Sequence, residues 1–293
     1  MRILLFGADG QLGGYLKTGL AAHGEVQAFD RAELDFTDSA RLREQVLAAR
    51  PRVIVNAAAY TAVDRAESEQ ELAWAVNAAA PGVLAQAARA CGALVFHYST
   101  DYVFDGAART PYREDAPVHP LGVYGRSKFA GEEMVRASGA AHLILRTAWL
   151  YSNRGHNFLK TMLRLAGERD ELRVVNDQIG CPTYAAAVAA ASAAMLTVML
   201  PGGEPRPALS GTYHVACRGE PSWYGFAERI VALAGLSGRV RVTPIPTSAY
   251  PTPAQRPSYS VLSGEKLKRA FGIELPEWPD GLRQCLADGG LLG

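Results

Sequence analysis

Tyr124 and Lys128 lie four positions apart, a spacing that places both side chains on one face of a helix. The pKa of a free tyrosine is about 10, too high for easy proton exchange at neutral pH. A neighbouring ammonium group favours the tyrosinate and is expected to bring that pKa toward neutrality. The pair is therefore predicted to exchange a proton with a carbonyl or alcohol oxygen. The spacing alone also fits a half-buried aromatic ring beside a solvated lysine.

A hydroxyl-bearing strand end precedes this pair. Residues 94–98 form an apolar run that predicts a buried strand, and Thr100 follows within the polar run 99–102. In an open α/β sheet, ligands bind at the carboxyl ends of the strands. Thr100 is therefore predicted to donate a hydrogen bond to a substrate oxygen near Tyr124 and Lys128.

The start of the chain has the pattern of a dinucleotide-binding turn. Residues 3–6 predict a short buried strand, and Gly7-Ala8-Asp9-Gly10-Gln11-Leu12-Gly13 follows it directly. Glycines let the backbone turn tightly and approach a pyrophosphate, and the N–H groups that open the next helix bind its oxygens. The position between a strand and a helix favours a cofactor site over an ordinary Gly-rich turn.

The second predicted strand, residues 26–29, ends at Asp30. A carboxylate at this position accepts hydrogen bonds from the ribose hydroxyls of adenosine. It would repel a 2′-phosphate and so favours NADH, whereas the adjacent Arg31 would offset part of that repulsion. Asp35 and Phe36 are predicted near the adenine ring, with core packing as the alternative for Phe36.

A third apolar run, residues 53–55, predicts another buried strand. The small residues 57–59 that follow would let a cofactor lie close to the backbone. Asn77 is interpreted as a buried amide that is either structural or holds the site. Thr37 or Asp38 is predicted to cap the helix that precedes this strand.

Strands and helices alternate up to about residue 150, which predicts an α/β fold with a Rossmann-type, doubly wound parallel sheet. Residues 1–150 are interpreted as a domain that binds NAD(P). The elements predicted beyond it are helices at 157–166, 184–200 and 222–234, and a strand at 211–215 that returns to the sheet. Residues 151–293 are predicted to form a smaller substrate-binding lobe, partly interleaved with the first domain through segments near 184–235.

The composition excludes several classes of protein. The 293 residues are 48% hydrophobic and 20% charged, as in ordinary globular proteins, and the formal net charge of +1 gives no basic field for nucleic acid. Residues 185–200 are apolar but too short for a membrane span. The four cysteines are far apart in sequence and indicate neither a disulfide framework nor a metal site. A reducing, cytoplasmic compartment is therefore expected.

Several segments together resemble the extended short-chain dehydrogenase/reductases, and among them the reductases of dTDP-4-dehydro sugars. The segments that carry this resemblance are residues 6–13, 56–64, 97–104, 176–178 and 256–257, together with Tyr124 and Lys128. The resemblance covers essentially the whole chain. It implies reduction of the C4 ketone of dTDP-4-dehydro-L-rhamnose by NADPH or NADH, the last step in making dTDP-L-rhamnose for cell-surface polysaccharides such as O-antigen.

The resemblance also implies roles for individual residues. Those implied to hold the cofactor are Gly7, Gly10, Gln11, Leu12, Gly13, Asp30, Arg31, Asp35, Phe36, Ala57, Ala58, Ala59, Tyr60, Thr61, Tyr124 and Lys128. Those implied to contact the dTDP-sugar are Thr61, Val63, Thr100, Asp101, Tyr102, Tyr124 and Trp149. In the resulting mechanism Tyr124 gives a proton to the ketone oxygen, Lys128 lowers the pKa of the tyrosine, and Thr100 stabilises the developing charge.

The chain departs from the family pattern at one place. Some members bind Mg²⁺ through glutamates at a dimer interface, but Ala185 and Ala186 stand where a glutamate is expected. No metal ligand is therefore assigned, and the need for Mg²⁺ and a homodimer are left open.

Two other functions fit part of the pattern. An epimerase or dehydratase of nucleotide sugars would share the fold, although Asp101 is followed by Tyr102 rather than by the second carboxylate typical of a dehydratase. A non-catalytic protein similar to the regulatory subunit of methionine adenosyltransferase would need no proton donor. Net consumption of NAD(P)H distinguishes a reductase from both.

Overall fold

The computed structural model describes residues 1–292. The strands are β1 (Arg2–Phe6), β2 (Glu25–Phe29), β3 (Val53–Asn56), β4 (Leu94–Thr100), β5 (His142–Thr147), β6 (Leu150–Tyr151), β7 (Glu171–Val175), β8 (Thr183–Tyr184), β9 (Gly211–His214) and β10 (Arg241–Ile245). The α-helices are α1 (Gly13–Leu20), α2 (Ser39–Ala49), α3 (Val63–Ala66), α4 (Gln70–Trp74), α5 (Ala80–Cys91), α6 (Val123–Ala137), α7 (Phe158–Glu168), α8 (Ala185–Met199), α9 (Trp223–Leu233), α10 (Glu265–Phe271) and α11 (Trp278–Asp288). A π-helical turn, Ala75–Ala79, joins α4 to α5.

Six parallel strands form the central sheet in the order β2-β1-β3-β4-β5-β9. The strand order changes direction between β1 and β3, the position at which open α/β sheets bind ligands. Phe6 pairs with Phe29 on one side and with Asn56 on the other, so three strand ends meet at this point. The predicted doubly wound sheet is confirmed, and so is the returning strand, which is β9.

Both faces of the sheet are covered by helices. Ile3 and Leu5 of β1 pack against α1 and α8, whereas Leu4 and Phe6 pack against α2 and α5. All four side chains are fully buried, which is why β1 is a continuous apolar run rather than an alternating one. Of the two residues predicted to cap α2, Thr37 and Asp38, it is Asp38 that does so, by accepting a bond from the Arg41 nitrogen.

The later part of the chain has a core of its own. Leu159 of α7, Phe226 of α9 and Leu282 of α11 are fully buried there, next to the parallel pair β7 and β10. The three predicted helices of this region are found as α7, α8 and α9, with ends shifted by one or two residues. Within residues 1–292, no helix is both long and apolar enough to cross a membrane.

Candidate active site

The turn between β1 and α1 depends on the absence of side chains at two glycines. Gly7 has a φ of +79°, and a Cβ atom there would lie 2.6 Å from the backbone nitrogen of Ala58. A Cβ atom at Gly13 would lie 2.0 Å from the carbonyl oxygen of Gly7. Glycine at both positions therefore keeps the turn tight against the end of β3, the geometry in which a backbone approaches a pyrophosphate.

A cleft of about 430 Å³ opens beside this turn. Its lining residues are Gly7, Asp9, Gly10, Asp30, Arg31, Leu34, Asp35, Phe36, Thr37, Ala58, Ala59, Tyr60, Leu72 and Val76. The structure thus brings together most of the residues predicted to hold a cofactor. A wider depression of about 910 Å³, bordered by α9 and β10, contains neither the Gly-rich turn nor Tyr124 and is not a candidate for this chemistry.

Two carboxylates lie at the end of β2. Asp30 Oδ1 accepts hydrogen bonds from the backbone nitrogens of Ala32 (2.8 Å) and Glu33 (3.0 Å). The carboxylate of Glu33 turns back and accepts a bond from the Asp30 nitrogen at 3.0 Å. Sequence reasoning missed Glu33, which adds a second carboxylate beside Asp30. The exposed Arg31 follows Asp30 directly.

Phe36 packs on the core and also borders the cleft. Its ring meets Phe6 edge-on at a centroid distance of 5.7 Å, and it also lines the cleft. The neighbouring Asp35 Oδ1 accepts bonds from the nitrogen and the hydroxyl of Thr37, at 2.8 and 2.9 Å. These bonds, the backbone one first, hold the pKa of Asp35 below its ordinary value.

Asn77 connects the cleft to the helix that carries Tyr124. It is fully buried in the π-helical turn, and its Oδ1 accepts a bond from the Tyr60 nitrogen at 2.9 Å. Its Nδ2 donates to the Tyr60 carbonyl and to the Ser127 hydroxyl, each at 3.1 Å. The amide therefore fixes the chain after β3 relative to α6. Thr61, exposed, and Val63, partly buried, follow in this same connection.

The predicted proton donor lies against the end of β4. Thr100 ends that strand, and Tyr124 occupies the first turn of α6, where its hydroxyl and that of Thr100 are hydrogen-bonded. Thr100 Oγ1 also contacts Asp101 Oδ1 at 3.1 Å. The Tyr102 ring meets the Tyr124 ring edge-on at 5.6 Å. The sequence thus correctly predicted that Thr100 and Tyr124 meet.

Lys128 lies one turn further along α6 and is 2% exposed. Its Nζ donates to the carbonyl oxygen of Tyr98 at 2.6 Å. Burial lowers the pKa of this amine to about 8, although the charge of Glu132 opposes the shift. The ammonium form therefore predominates at neutral pH and is lost in mild alkali.

The expectation that Lys128 brings the pKa of Tyr124 toward neutrality is wrong for the protein chain itself. Burial is the largest influence on this hydroxyl and raises its pKa above the ordinary value of 10.0, and the hydrogen bond with Thr100 only partly opposes it. Sequence spacing cannot reveal this effect, because the cost of desolvation depends on the finished packing. Tyr124 consequently holds its proton firmly at neutral pH, as a donor must.

Asp101 is a buried carboxyl group next to this pair. It is 1% exposed, and burial raises its pKa to about 6 against the opposing hydrogen bonds of Ser260 and Thr100. A carboxyl group with this pKa can release or accept a proton close to neutral pH.

Beneath Lys128, a buried ion pair holds α6 against the sheet. Glu132 is fully buried and receives bonds from Arg146 of β5, with Nε to Oε1 at 2.8 Å and Nη2 to Oε2 at 2.7 Å. Ser99 of β4 donates to the same carboxylate at 2.6 Å, and Arg136 does so at 2.7 Å. Sequence reasoning missed this group, which fixes the register between the helix and both strands.

Trp149 is clamped between two elements of the later part of the chain. Its ring stacks on Trp223 with centroids 3.5 Å apart and planes at 6°. On the loop before β8, a Cβ atom at Gly180 would lie 2.4 Å from the Trp149 ring. The backbone of Trp149 has a φ of +44°, an unfavourable conformation for a bulky residue that occurs mainly at functional sites. The sequence indicated Trp149 but not its partner.

A second cross-chain contact forms beside Tyr102. Arg256 Nη2 binds Asp64 Oδ2 at 2.8 Å, and its Nη1 lies 3.3 Å from the Tyr102 hydroxyl. Burial raises the pKa of Tyr102 to about 12, with the Arg256 charge opposing the shift. Asp64 and Arg256 both fall in motifs noted above, but their separation of 192 residues hid the pairing.

Ala185 and Ala186 open α8, and Ala185 is fully buried. Among residues 1–292, His, Cys, Asp and Glu side chains form no group of three or more able to hold a metal ion.

The chain is similar over its whole length to proteins of one kind. Residues 1–290 match the family model described as "RmlD substrate binding domain". A dTDP-4-dehydrorhamnose reductase of Burkholderia thailandensis is 47% identical, with 98% of this chain and 99% of the relative covered. One of Escherichia coli K12 is 44% identical, with 98% and 97% covered.

A solved structure agrees with these relatives. The dTDP-4-dehydrorhamnose reductase of Bacillus anthracis, in complex with NADP, superimposes with a TM-score of 0.91 at 37% identity, covering 98% of this chain and 99% of that one. The similarity extends through both the sheet and the later helices.

Proposed function

Because this chain belongs to the dTDP-4-dehydrorhamnose reductase family, we propose that it reduces the C4 ketone of dTDP-4-dehydro-β-L-rhamnose with NADPH or NADH. The product is dTDP-β-L-rhamnose, and this is the last step of its synthesis. The observation that carries the proposal is the meeting of Thr100 and Tyr124 at the end of β4, with Lys128 on the next turn of α6, bonded to the Tyr98 carbonyl of the same strand. A binding subunit needs no such proton donor.

The Gly-rich turn fits a dinucleotide. Cβ atoms at Gly7 and Gly13 would collide with neighbouring backbone atoms, so glycine at both positions allows the tight turn that can approach a pyrophosphate. When bound, the nicotinamide supplies a hydride. The residues proposed to hold the cofactor are Gly7, Gly10, Gln11, Leu12 and Gly13 for the pyrophosphate, Asp30, Arg31, Asp35 and Phe36 for adenosine, and Ala57, Ala58, Ala59, Tyr60, Thr61, Tyr124 and Lys128 for the remainder.

In the proposed mechanism, Tyr124 donates its proton to the C4 oxygen as negative charge develops there. Thr100 donates a hydrogen bond to the same oxygen and stabilises the charge. Lys128, held by the Tyr98 carbonyl, orients the nicotinamide ribose and supplies positive charge. Asp101, Tyr102 and Trp149, with Thr61 and Val63 further out, are proposed to contact the dTDP-sugar.

Incubation with dTDP-4-dehydrorhamnose tests the function directly. We expect one NADPH or NADH to be consumed for each dTDP-rhamnose formed, as followed by absorbance and product analysis. An epimerase or dehydratase would recycle its cofactor, so turnover of the sugar without net oxidation of added cofactor would contradict the proposal.

Asp30→Ala is expected to weaken NADH binding roughly tenfold or more, because a charged hydrogen bond to the ribose contributes about 1.5–3 kcal/mol. NADPH should be affected less, since the change also removes repulsion of the 2′-phosphate. Dissociation constants for both cofactors check this, with Glu44→Ala, an exposed carboxylate on α2 outside the cleft, as the control. Equal losses for both cofactors, or strict NADPH dependence of the parent, would remove the argument from Asp30.

Trp149→Ala is expected to raise KM for the dTDP-sugar about tenfold, since aromatic contacts of this kind contribute about 0.5–1.5 kcal/mol beyond the buried area. Some loss of melting temperature is expected as well, because the ring also stacks on Trp223, so the rise in KM is the diagnostic result. Steady-state kinetics and thermal melts check this. Trp74→Ala is the control, because the Trp74 ring is 41% exposed. A large loss of stability with an unchanged KM would assign Trp149 to the core instead.

We further propose that residues 1–150 form the NAD(P)-binding domain and residues 151–293 the substrate lobe, joined by segments near 184–235. The pairing of β9 with β5 and the packing of α8 on α1 support the joining segments, because both bring later elements onto the first domain. A reducing cytoplasm is proposed as the compartment, and all four cysteines are free thiols. A homodimer stays a prediction. Measuring the molar mass by light scattering, with and without Mg²⁺, would test it.

A further inference from the structure

The Gly-rich turn is held from outside by the segment between β6 and α7, residues 152–157. Asn157 Nδ2 donates to Gln11 Oε1 at 2.8 Å, and the Ser152 hydroxyl donates to the same oxygen at 3.2 Å. Asn157 also caps α7, through the Lys160 nitrogen at 3.1 Å, and is buried. The segment is therefore anchored at both ends, and one anchor is the turn proposed to bind a pyrophosphate.

Arg154 lies at the centre of this segment and points across the first turn of α1. Its guanidinium carbon is 5.0 Å from the centre of the Tyr15 ring. A Cβ atom at Gly14 would lie only 2.7 Å from Arg154 Nη1. The missing side chain at Gly14 thus leaves the space in which the guanidinium rests, beside the N-terminus of the helix.

Arg154 supplies a positive charge next to a Gly-rich turn that has none of its own. Residues 7–13 include Asp9 and no basic residue, so the turn itself would present a negative side chain to a doubly charged pyrophosphate. Asp9 lines the cleft and is exposed. Arginine binds phosphate oxygens with a planar, multiply donating group, and a helix N-terminus adds to the attraction.

We propose that Arg154 binds the pyrophosphate of the nicotinamide cofactor, which makes residues 152–157 a part of the cofactor site contributed by the later half of the chain. The proposal rests on the function proposed above. It differs from the role of Arg31, which would act only on a 2′-phosphate, because a pyrophosphate is common to NADH and NADPH.

Binding titrations of the full chain test the proposal. Arg154→Gln keeps a polar side chain of similar length and removes the charge. We expect it to weaken NADH and NADPH by the same factor, roughly tenfold, as for a lost hydrogen bond to a charged group. Arg154→Lys should recover part of the lost affinity. The difference in affinity between Arg154→Gln and the parent should become smaller as salt is added. Adenosine, which has no phosphate, should bind both proteins equally.

Two other variants complete the design. Arg31→Gln should weaken the binding of NADPH only. Arg109→Gln, on an exposed loop, should leave the affinities for both cofactors unchanged. Unchanged affinities in Arg154→Gln, a loss confined to NADPH, or an equal loss for adenosine would each overturn the role of Arg154 while leaving the proposed function intact. A parent that binds neither NADH nor NADPH would overturn both.

Discussion

Tyr124→Phe is expected to lower kcat by about 10²–10⁴, the usual contribution of general acid catalysis, with cofactor affinity little changed. The substitution keeps the ring that packs against Tyr102 and removes only the hydroxyl that meets Thr100. Steady-state kinetics with cofactor titrations check this, and Tyr250→Phe, at a residue that is 60% exposed, is the control. A kcat close to that of the parent in Tyr124→Phe would contradict the role of Tyr124 as the proton donor.

Lys128 gives the same mechanism a signature in pH. Lys128→Met should lower kcat and weaken cofactor binding together, and the double variant should be little worse in kcat than Tyr124→Phe. Because burial holds the pKa of Tyr124 high, the tyrosine itself should stay protonated well into alkali. Lys128 carries its charge below its pKa of about 8 and loses it above. Activity should therefore decline as pH rises through about 8, and that decline should be absent in Lys128→Met.

Glu132→Ala is expected to destabilise the protein by about 3–5 kcal/mol, because it leaves the guanidinium of Arg146 buried without its partner. Glu133→Ala is the matched control: the adjacent, exposed Glu133 pairs with Arg136, and such a surface pair contributes about 0–1 kcal/mol. Denaturant unfolding of both variants gives the two free energies. Equal, small losses would show that the buried pair does not stabilise the fold.

The pH dependence of stability has a definite sign at Glu132. Burial would raise its pKa, but the bonds from Arg146 and Ser99 outweigh burial and lower it below 4.5. The stabilising contribution is thus complete above the unfolded-state pKa and is lost as pH falls through the lower, folded value. The difference in free energy of unfolding between the parent and Glu132→Ala should accordingly become smaller at acidic pH.

The sequence predicted the parts of the site that depend on local pattern. The glycine spacing, the apolar runs of the strands and the four-residue interval from Tyr124 to Lys128 each follow from backbone geometry, and the structure places them as expected. The stack of Trp149 on Trp223 and the bond from Asn157 to Gln11 could not be predicted, because they join residues that only the finished fold brings together. The pKa of Tyr124 was mispredicted for the same reason: it depends on burial more than on the nearest charge.

The last strand of the sheet has a consequence for the newly made protein. β9 begins at Gly211, whereas its neighbour β5 ends at Thr147, so the ribosome must complete the intervening segment before the two can pair. At roughly 5–20 residues per second, synthesis of that segment takes several seconds. If the first five strands pair during that interval, β5 would be an open edge of a parallel sheet, and Leu143 and Leu145 would lack part of their final cover. Unpaired strand edges promote association with other chains, so the late position of β9 in the sequence lengthens the time for which a nascent chain could present such an edge.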